Sequence, residues 1–426
     1  MTHRSDPPSP LVSRGLALKG WLLVLLLAGP VASGLMTLVE VLRDGVDGVD
    51  GLEGVADVKV SPDGLFVYAS GQGEDALAVF ARDATRETLT FLQVLRNGED
   101  GVFGLAGSSS VAPAPGGYHV YATAFDDDAV GVYRRSTSPP GLVFTGVVKR
   151  DGVGGVSGLD GASAAAVSPD GRHLLVTGKL DGALTVFSRD ATLDDLALVD
   201  LEGGGGVDLA GASSLAFSPE GRHVYVTAED SDRLVAFRHD PRAHDAGALR
   251  YLTEYTEGVG EIYGLERASA VAVSPDGFNV YVTGRSPGSL AVFKRNPGTG
   301  RLLLIQAFFT EKGLEGLEGA AAVLASPDGL SVLVASPPTD SVTVFERDPS
   351  RGLLALRSVL TDGADGIDGL DGAIALAVSP DRRSFYTAGS AEDALASFHL
   401  SLLLRDGFET GDLSRWSGVL PPKDTR

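Results

Sequence analysis

The chain has 426 residues, 43% of them hydrophobic, with 35 Lys+Arg against 56 Asp+Glu and a formal net charge of −21. That supports a sizeable core, excludes disorder, and argues against nucleic acid and anionic membrane surfaces as partners. With 0 Cys there is no disulfide framework, thiolate nucleophile or Cys-based zinc site, and 56 Gly imply many turns.

At the N-terminus, Arg4, Arg14 and Lys19 precede the apolar run Trp21 to Ala28, which Gly29-Pro30 breaks before the small residues Val31-Ala32-Ser33-Gly34. A positive region, a short apolar region and a small-residue site read as a signal peptide over residues 1–33. The expected location is therefore secreted, periplasmic or cell-surface. Left uncleaved, the segment would be an anchor, since Gly20 to Val39 carries no charge. No other membrane span is expected.

Beyond it the chain repeats. Ser-Pro-Asp-Gly stands at Ser61, Ser168, Ser274 and Ser326, with variants starting at Ala114, Ser218 and Ser379, which makes seven copies spaced by 50 to 56 residues. Pro presets φ at the second position of a type I turn, and Asp and Gly suit the third and fourth. Before each turn lies a run of small residues, such as Ala162-Ser163-Ala164-Ala165-Ala166-Val167. After it comes a Val/Tyr strand, such as His223-Val224-Tyr225-Val226-Thr227. A third strand ends in an aromatic (Phe80, Tyr133, Phe187, Phe237, Phe293, Phe345, Phe398), and a fourth is apolar, as in Leu89 to Leu95. Seven repeats of four strands predict an all-β, seven-bladed β-propeller over residues 37–400. The small residues suit innermost strands, which converge on an axis. Thr37 to Arg43 matches a fourth strand and is expected to close the last blade beside Ala394 to Phe398. Leu400 to Arg405 competes for that slot. Residues 401–426 read as a C-terminal tail.

The stretches Val167 to Gly178, Val273 to Gly284 and Asp75 to Asp83 resemble the repeats of the bacterial lactonase-like propellers. That group includes 6-phosphogluconolactonases, 3-carboxymuconate cyclases and YVTN-repeat surface-layer proteins. The resemblance implies the fold, and, as one functional alternative, a lactonase or cyclase. The shared positions are structural, so it assigns no catalytic residues one by one.

Strand order puts the Ser-Pro-Asp-Gly turns on one face. The blade-to-blade loops and second-to-third turns lie on the other, around the channel mouth. The mouth loops are acidic and Gly-rich, as in Asp44-Gly-Val-Asp47-Gly-Val-Asp50-Gly-Leu-Glu53-Gly. One loop position holds Glu53, Asp160, Glu266, Glu318 and Asp371. Those acids are candidate ligands for Ca²⁺, a hard cation that takes several oxygens. The alternative is that Asp and Gly simply build tight, solvated loops. His119, His173 and His223 share one position after the turn and read as scaffold, while His239 and His244 make a weak metal pair with no third ligand.

Departures from the repeat are better signals. Glu261, Tyr263 and Arg267 interrupt the pattern of one mouth loop and are the catalytic candidates. Lys179, Arg233 and Arg285 lie in second-to-third turns and are ligand-binding candidates for a carboxylate or phosphate. Because the blades are so alike, the leading expectation is a non-catalytic scaffold or binding protein, a monomer, that engages an unidentified small molecule or protein at the acidic mouth. The alternatives are a lactonase or cyclase for a small carboxylated or phosphorylated lactone, and a calcium-stabilised cell-surface repeat protein.

Overall fold

In the computed structural model, residues 36–203, 206–243 and 248–400 are described; they form seven four-stranded antiparallel sheets. Each sheet is one blade. In blades 1 to 6 the four strands follow chain order from axis to rim, as in Val55–Val60, Phe66–Gly71, Ala76–Asp83 and Thr88–Arg96 of blade 1. Blade 7 takes Ala373–Val378, Ser384–Gly389 and Ala394–Leu400, and its outer strand is Met36–Arg43 from the start of the propeller. Leu38 pairs with Phe398 and Arg43 with Ala394, so the N-terminal strand closes the ring and covers the edge that Ala394–Leu400 would otherwise expose. Residues 1–33, expected to be a signal peptide, His244 and the tail lie outside the described residues. Among the described residues, no helix is long and apolar enough to cross a membrane.

The sequence explains the radial order. Innermost strands of adjacent blades contact one another around the axis, which tolerates Ala and Ser but not larger side chains. In six blades the innermost strand has a register shift at its second residue. The shift lets Ser163, for example, bond Thr177 Oγ1 at 2.9 Å and donate to the carbonyl of Ala212 in the next blade at 2.9 Å. Second strands are wholly buried in six blades and all but Ser331 in the other, and the third-strand aromatics pack between sheets: Phe80, Phe187, Phe237, Phe293, Phe345 and Phe398 are fully buried.

Two sets of polar latches join neighbouring blades. On the mouth face, the Asp that opens a third strand accepts a backbone N–H from the next blade's loop. Asp75 serves Gly107 at 2.7 Å, Asp128 serves Gly161, Asp340 serves Gly372, and Asp393 serves Gly54 across the ring closure. On the opposite face, in four blades, the residue two past the third-strand aromatic reaches back to the previous blade's Ser-Pro-Asp-Gly or Ser-Pro-Glu-Gly turn. Arg82 pairs with Asp381 at 2.9 Å, Arg135 with Asp63 at 2.6 Å, Arg347 with Asp276 at 2.6 Å, and Arg295 with Glu220. The four paired carboxyls, Asp63, Asp276, Asp381 and Glu220, are held below their ordinary range: burial pushes them up, but the guanidinium, a hydroxyl or backbone N–H donors outweigh burial.

Candidate functional site at the channel mouth

The residue that follows the second strand in each blade stands at the mouth beside the innermost strand. In six blades its N–H donates to the carbonyl of the residue before the innermost strand, as Gln72 does to Gly54 and Arg285 to Arg267. Around the ring this position carries Gln72, Phe125, Lys179, Glu229, Arg285, Pro337 and Ser390. Blades 3, 4 and 5 therefore aim a cation, an anion and a cation at one sector. A second cation comes from blade 5: Arg267 ends its mouth loop at a position filled by Gly in the other six blades.

These groups converge. Glu229 is only 3% exposed at its side chain, and its carboxylate meets Lys179 Nζ at 2.7 Å and Arg267 Nη2 at 2.6 Å, with Arg267 Nε at 3.2 Å. Arg285 Nε lies 3.6 Å from the same oxygen and makes no hydrogen bond, although that atom is buried. One carboxylate thus faces three cations contributed by two flanking blades. Burial pushes the Glu229 carboxyl up, but hydrogen bonds from Lys179 and Arg267 and the charge of Arg285 prevail and hold it below the usual range. Counted alone, these four side chains carry two positive charges in excess, with Asp230 and Asp232 also acting on Arg267.

The backbone bears a signature of this arrangement. Arg267 adopts φ +51, whereas the equivalent Gly54, Gly107, Gly161, Gly211, Gly319 and Gly372 have φ from +59 to +72. A Cβ in this region is unfavourable by ~1–2 kcal/mol. The chain therefore accepts strain to place a guanidinium against Glu229, a pattern that collects at functional sites.

The other candidates fall elsewhere. Arg233 pairs with Glu254 at 3.0 Å and Asp208 at 3.6 Å rather than with Glu229. It lines an open groove of about 720 Å³, shared with Lys179, Leu180, Leu209, Tyr251 and Glu254, that runs outward from the cluster. Glu261 and Tyr263 are exposed and make no side-chain hydrogen bond or ion pair with a described residue. Glu261 also takes a left-handed conformation, φ +65. Of the catalytic candidates, only Arg267 joins the cluster. Glu229 is the residue that sequence reasoning missed.

The acids proposed for calcium, Glu53, Asp160, Glu266, Glu318 and Asp371, belong to five blades, and among the described residues none falls in a group of three acids with ligand atoms within 4.8 Å of one another. Sevenfold placement keeps equivalent positions apart. Asp160 and Asp371 are raised by burial and then by neighbouring carboxylates, Asp128, Asp181 and Asp151 for the first and Asp340 and Asp362 for the second. The groups that do meet this distance, Asp44-Asp50-Glu74 and Asp362-Asp368-Glu392, are bridged by Arg96 and Arg43. Many of the loop acids instead cap their own turns: Leu52 N–H donates to Asp44 at 2.9 Å, and Leu159 N–H to Asp151 at 3.1 Å. The described histidines sit away from the mouth. His119 pairs with Asp194, His223 with Arg295, and buried His173 bonds His239 at 2.8 Å.

The profile of the family described as lactonase, 7-bladed β-propeller, matches residues 27–138, 144–242 and 207–363. No curated protein matches the sequence significantly. Among solved structures, a putative 6-phosphogluconolactonase from Bacteroides uniformis is 22% identical, with TM-score 0.60, over 75% of this chain and 88% of that one. A periplasmic gluconolactonase from Pseudomonas aeruginosa is 20% identical, with TM-score 0.60, over 76% and 91%. Hydrazine synthase from Kuenenia stuttgartiensis is 16% identical, with TM-score 0.58, over 85% and 99%. At these identities the structural likenesses speak for the fold alone, and their unrelated activities underline that. The family match extends over most of the propeller, and on that ground the chain belongs to the lactonase family of seven-bladed β-propellers.

Proposed function

We propose that the protein hydrolyses a small lactone that carries a carboxylate or phosphate, at the cluster of Lys179, Glu229, Arg267 and Arg285. Family membership supports this over the expectation of a non-catalytic scaffold. The observation that carries it is the convergence of three cations from two flanking blades on one buried carboxylate. An entering anion competes with Glu229 for these cations. As they turn to the substrate, Glu229 loses its partners and becomes a stronger base. It takes a proton from water as the water oxygen bonds the lactone carbonyl carbon, and a guanidinium faces the resulting oxyanion. The ring C–O bond then breaks, the proton passes to the leaving alkoxide, and the hydroxy acid formed gives its carboxyl proton to solvent as the hydroxycarboxylate leaves. Export belongs to the same proposal, supported by the residue 1–33 pattern and by the periplasmic gluconolactonase among the structural neighbours.

The test is hydrolysis of 6-phosphogluconolactone and of uncharged gluconolactone above the spontaneous rate, by wild type and by Glu229→Gln. The proposal expects faster turnover of the charged lactone and a loss of about 10²-fold or more in the variant, the usual scale for a general base. Equal, background-level rates for both proteins and both lactones would remove the enzymatic reading.

A further inference from the structure

The latch on the Ser-Pro-Asp-Gly face forms an ion pair at four of the seven junctions, and at one of the others the missing partner leaves an arginine. Following the residue two past each third-strand aromatic gives Arg82, Arg135, Arg189, His239, Arg295, Arg347 and Leu400. Their backbone N–H groups donate to equivalent carbonyls, from Leu65 for Arg82 through Arg172 for Arg189 to Arg383 for Leu400, so the seven positions correspond. Four of the arginines answer an acid in the turn of the preceding blade. Arg189 does not. The preceding turn is Ala114-Pro115-Gly116-Gly117, where Gly116 replaces the Asp and Ala114 the Ser that orients it.

Arg189 is otherwise held as its equivalents are. Its Nε donates to Tyr121 OH at 2.5 Å, its Nη1 to the carbonyl of Gly171, and its guanidinium lies over the Tyr121 ring, 5.1 Å from the centroid. Arg82 and Arg295 make the same Tyr and Gly bonds, and use Nη2 for the acid. Arg189 Nη2 has no partner among the described residues, and Arg189 forms no ion pair there. The vacated place is open: a Cβ at Gly116 would meet nothing within 4 Å. We propose that this junction between blades 2 and 3 binds a compact carboxylate, which supplies from solution the group that Asp supplies at the intact junctions. A planar carboxylate suits a guanidinium whose other nitrogens are already fixed. The site lies on the face opposite the mouth cluster and is independent of the activity proposed there.

Gly116→Asp tests this, because the backbone of Gly116 is not in the left-handed region and admits a side chain. Thermal midpoints are compared in sodium acetate and in sodium chloride at equal ionic strength and neutral pH. The proposal expects acetate to raise the wild-type midpoint saturably. It expects Gly116→Asp to melt above wild type in chloride and to lose the acetate response, and Arg189→Gln to lose it too. Three outcomes overturn the proposal: no acetate effect on wild type, Gly116→Asp melting no higher than wild type, or an acetate response that persists in Gly116→Asp. The last would assign acetate to the mouth cations, which that variant leaves intact.

Discussion

Replacing Arg267 by Gly separates what the mouth cluster does for the fold from what it does for function. The substitution installs the residue found at the equivalent position of the other six blades. It relieves a left-handed Arg, worth ~1–2 kcal/mol. Against that, a Gly adds unfolded-state freedom worth ~0.4–1 kcal/mol. The lost contact with Glu229 involves a guanidinium that is 56% exposed, so screening limits it to ~1 kcal/mol or less. Glu229 keeps Lys179 at 2.7 Å and Arg285 at 3.6 Å. These contributions nearly cancel, so stability should stay within about 1 kcal/mol of wild type. Catalysis should not be spared: removing a donor to a developing oxyanion costs about 10²–10³-fold. The assay is urea unfolding followed by CD, beside kcat/KM for an anionic lactone. A variant destabilised by more than about 3 kcal/mol would make Arg267 a structural residue, and unchanged kcat/KM would refute its role in turnover.

Other consequences follow from the same structure. Arg347→Met removes a fully buried guanidinium from Asp276, Asn279 and the Gly329 carbonyl. Because Asp276 is partly exposed, we expect a loss of about 2–4 kcal/mol in urea unfolding, and wild-type stability would contradict the latch. Acid should weaken the ring. Asp63, Glu220, Glu229, Asp276 and Asp381 all have folded pKa values below their ordinary ones. Their stabilisation is therefore present above the ordinary carboxylate range, near pH 4, and is lost as pH falls through the lower folded values. Melting midpoints should be flat from about pH 6 to 8 on this account and fall below about pH 4; a midpoint that rises on acidification would contradict it. Deleting residues 1–43 removes the strand that closes blade 7, and size-exclusion chromatography should then show association through the bared edge. A monodisperse, wild-type-like product would mean that the closure is dispensable.

The wheel was legible because its signals are local and repeated. Ser-Pro-Asp-Gly sets a turn, the aromatic marks the third strand, and Ala and Ser mark the axis. Seven copies in phase left little freedom, and even the closing strand could be recognised by its match to other fourth strands. The site was only half legible. Lys179, Arg267 and Arg285 stood out as cations where an acidic repeat should have none. Glu229 did not, since in Ala228-Glu229-Asp230-Ser231-Asp232 it reads as one more loop acid. Its signal lies in register: it occupies the position of Lys179 and Arg285, where the blades disagree widely in charge. Glu261 and Tyr263 misled for the converse reason. They break the local pattern, yet the loop carries them to solvent rather than to the cluster. The calcium expectation took repetition of an acid for proximity, whereas sevenfold repetition disperses the acids around a ring and leaves many of them capping backbone N–H groups.

The most direct measurement is a crystal structure of the protein soaked with 6-phosphogluconate, the ring-opened product of the charged lactone. The account predicts its anionic groups at the mouth within about 3 Å of Arg267 and Arg285, with Lys179 drawn partly away from Glu229. Product bound elsewhere, or a Glu229 cluster unchanged beside bound product, would contradict it.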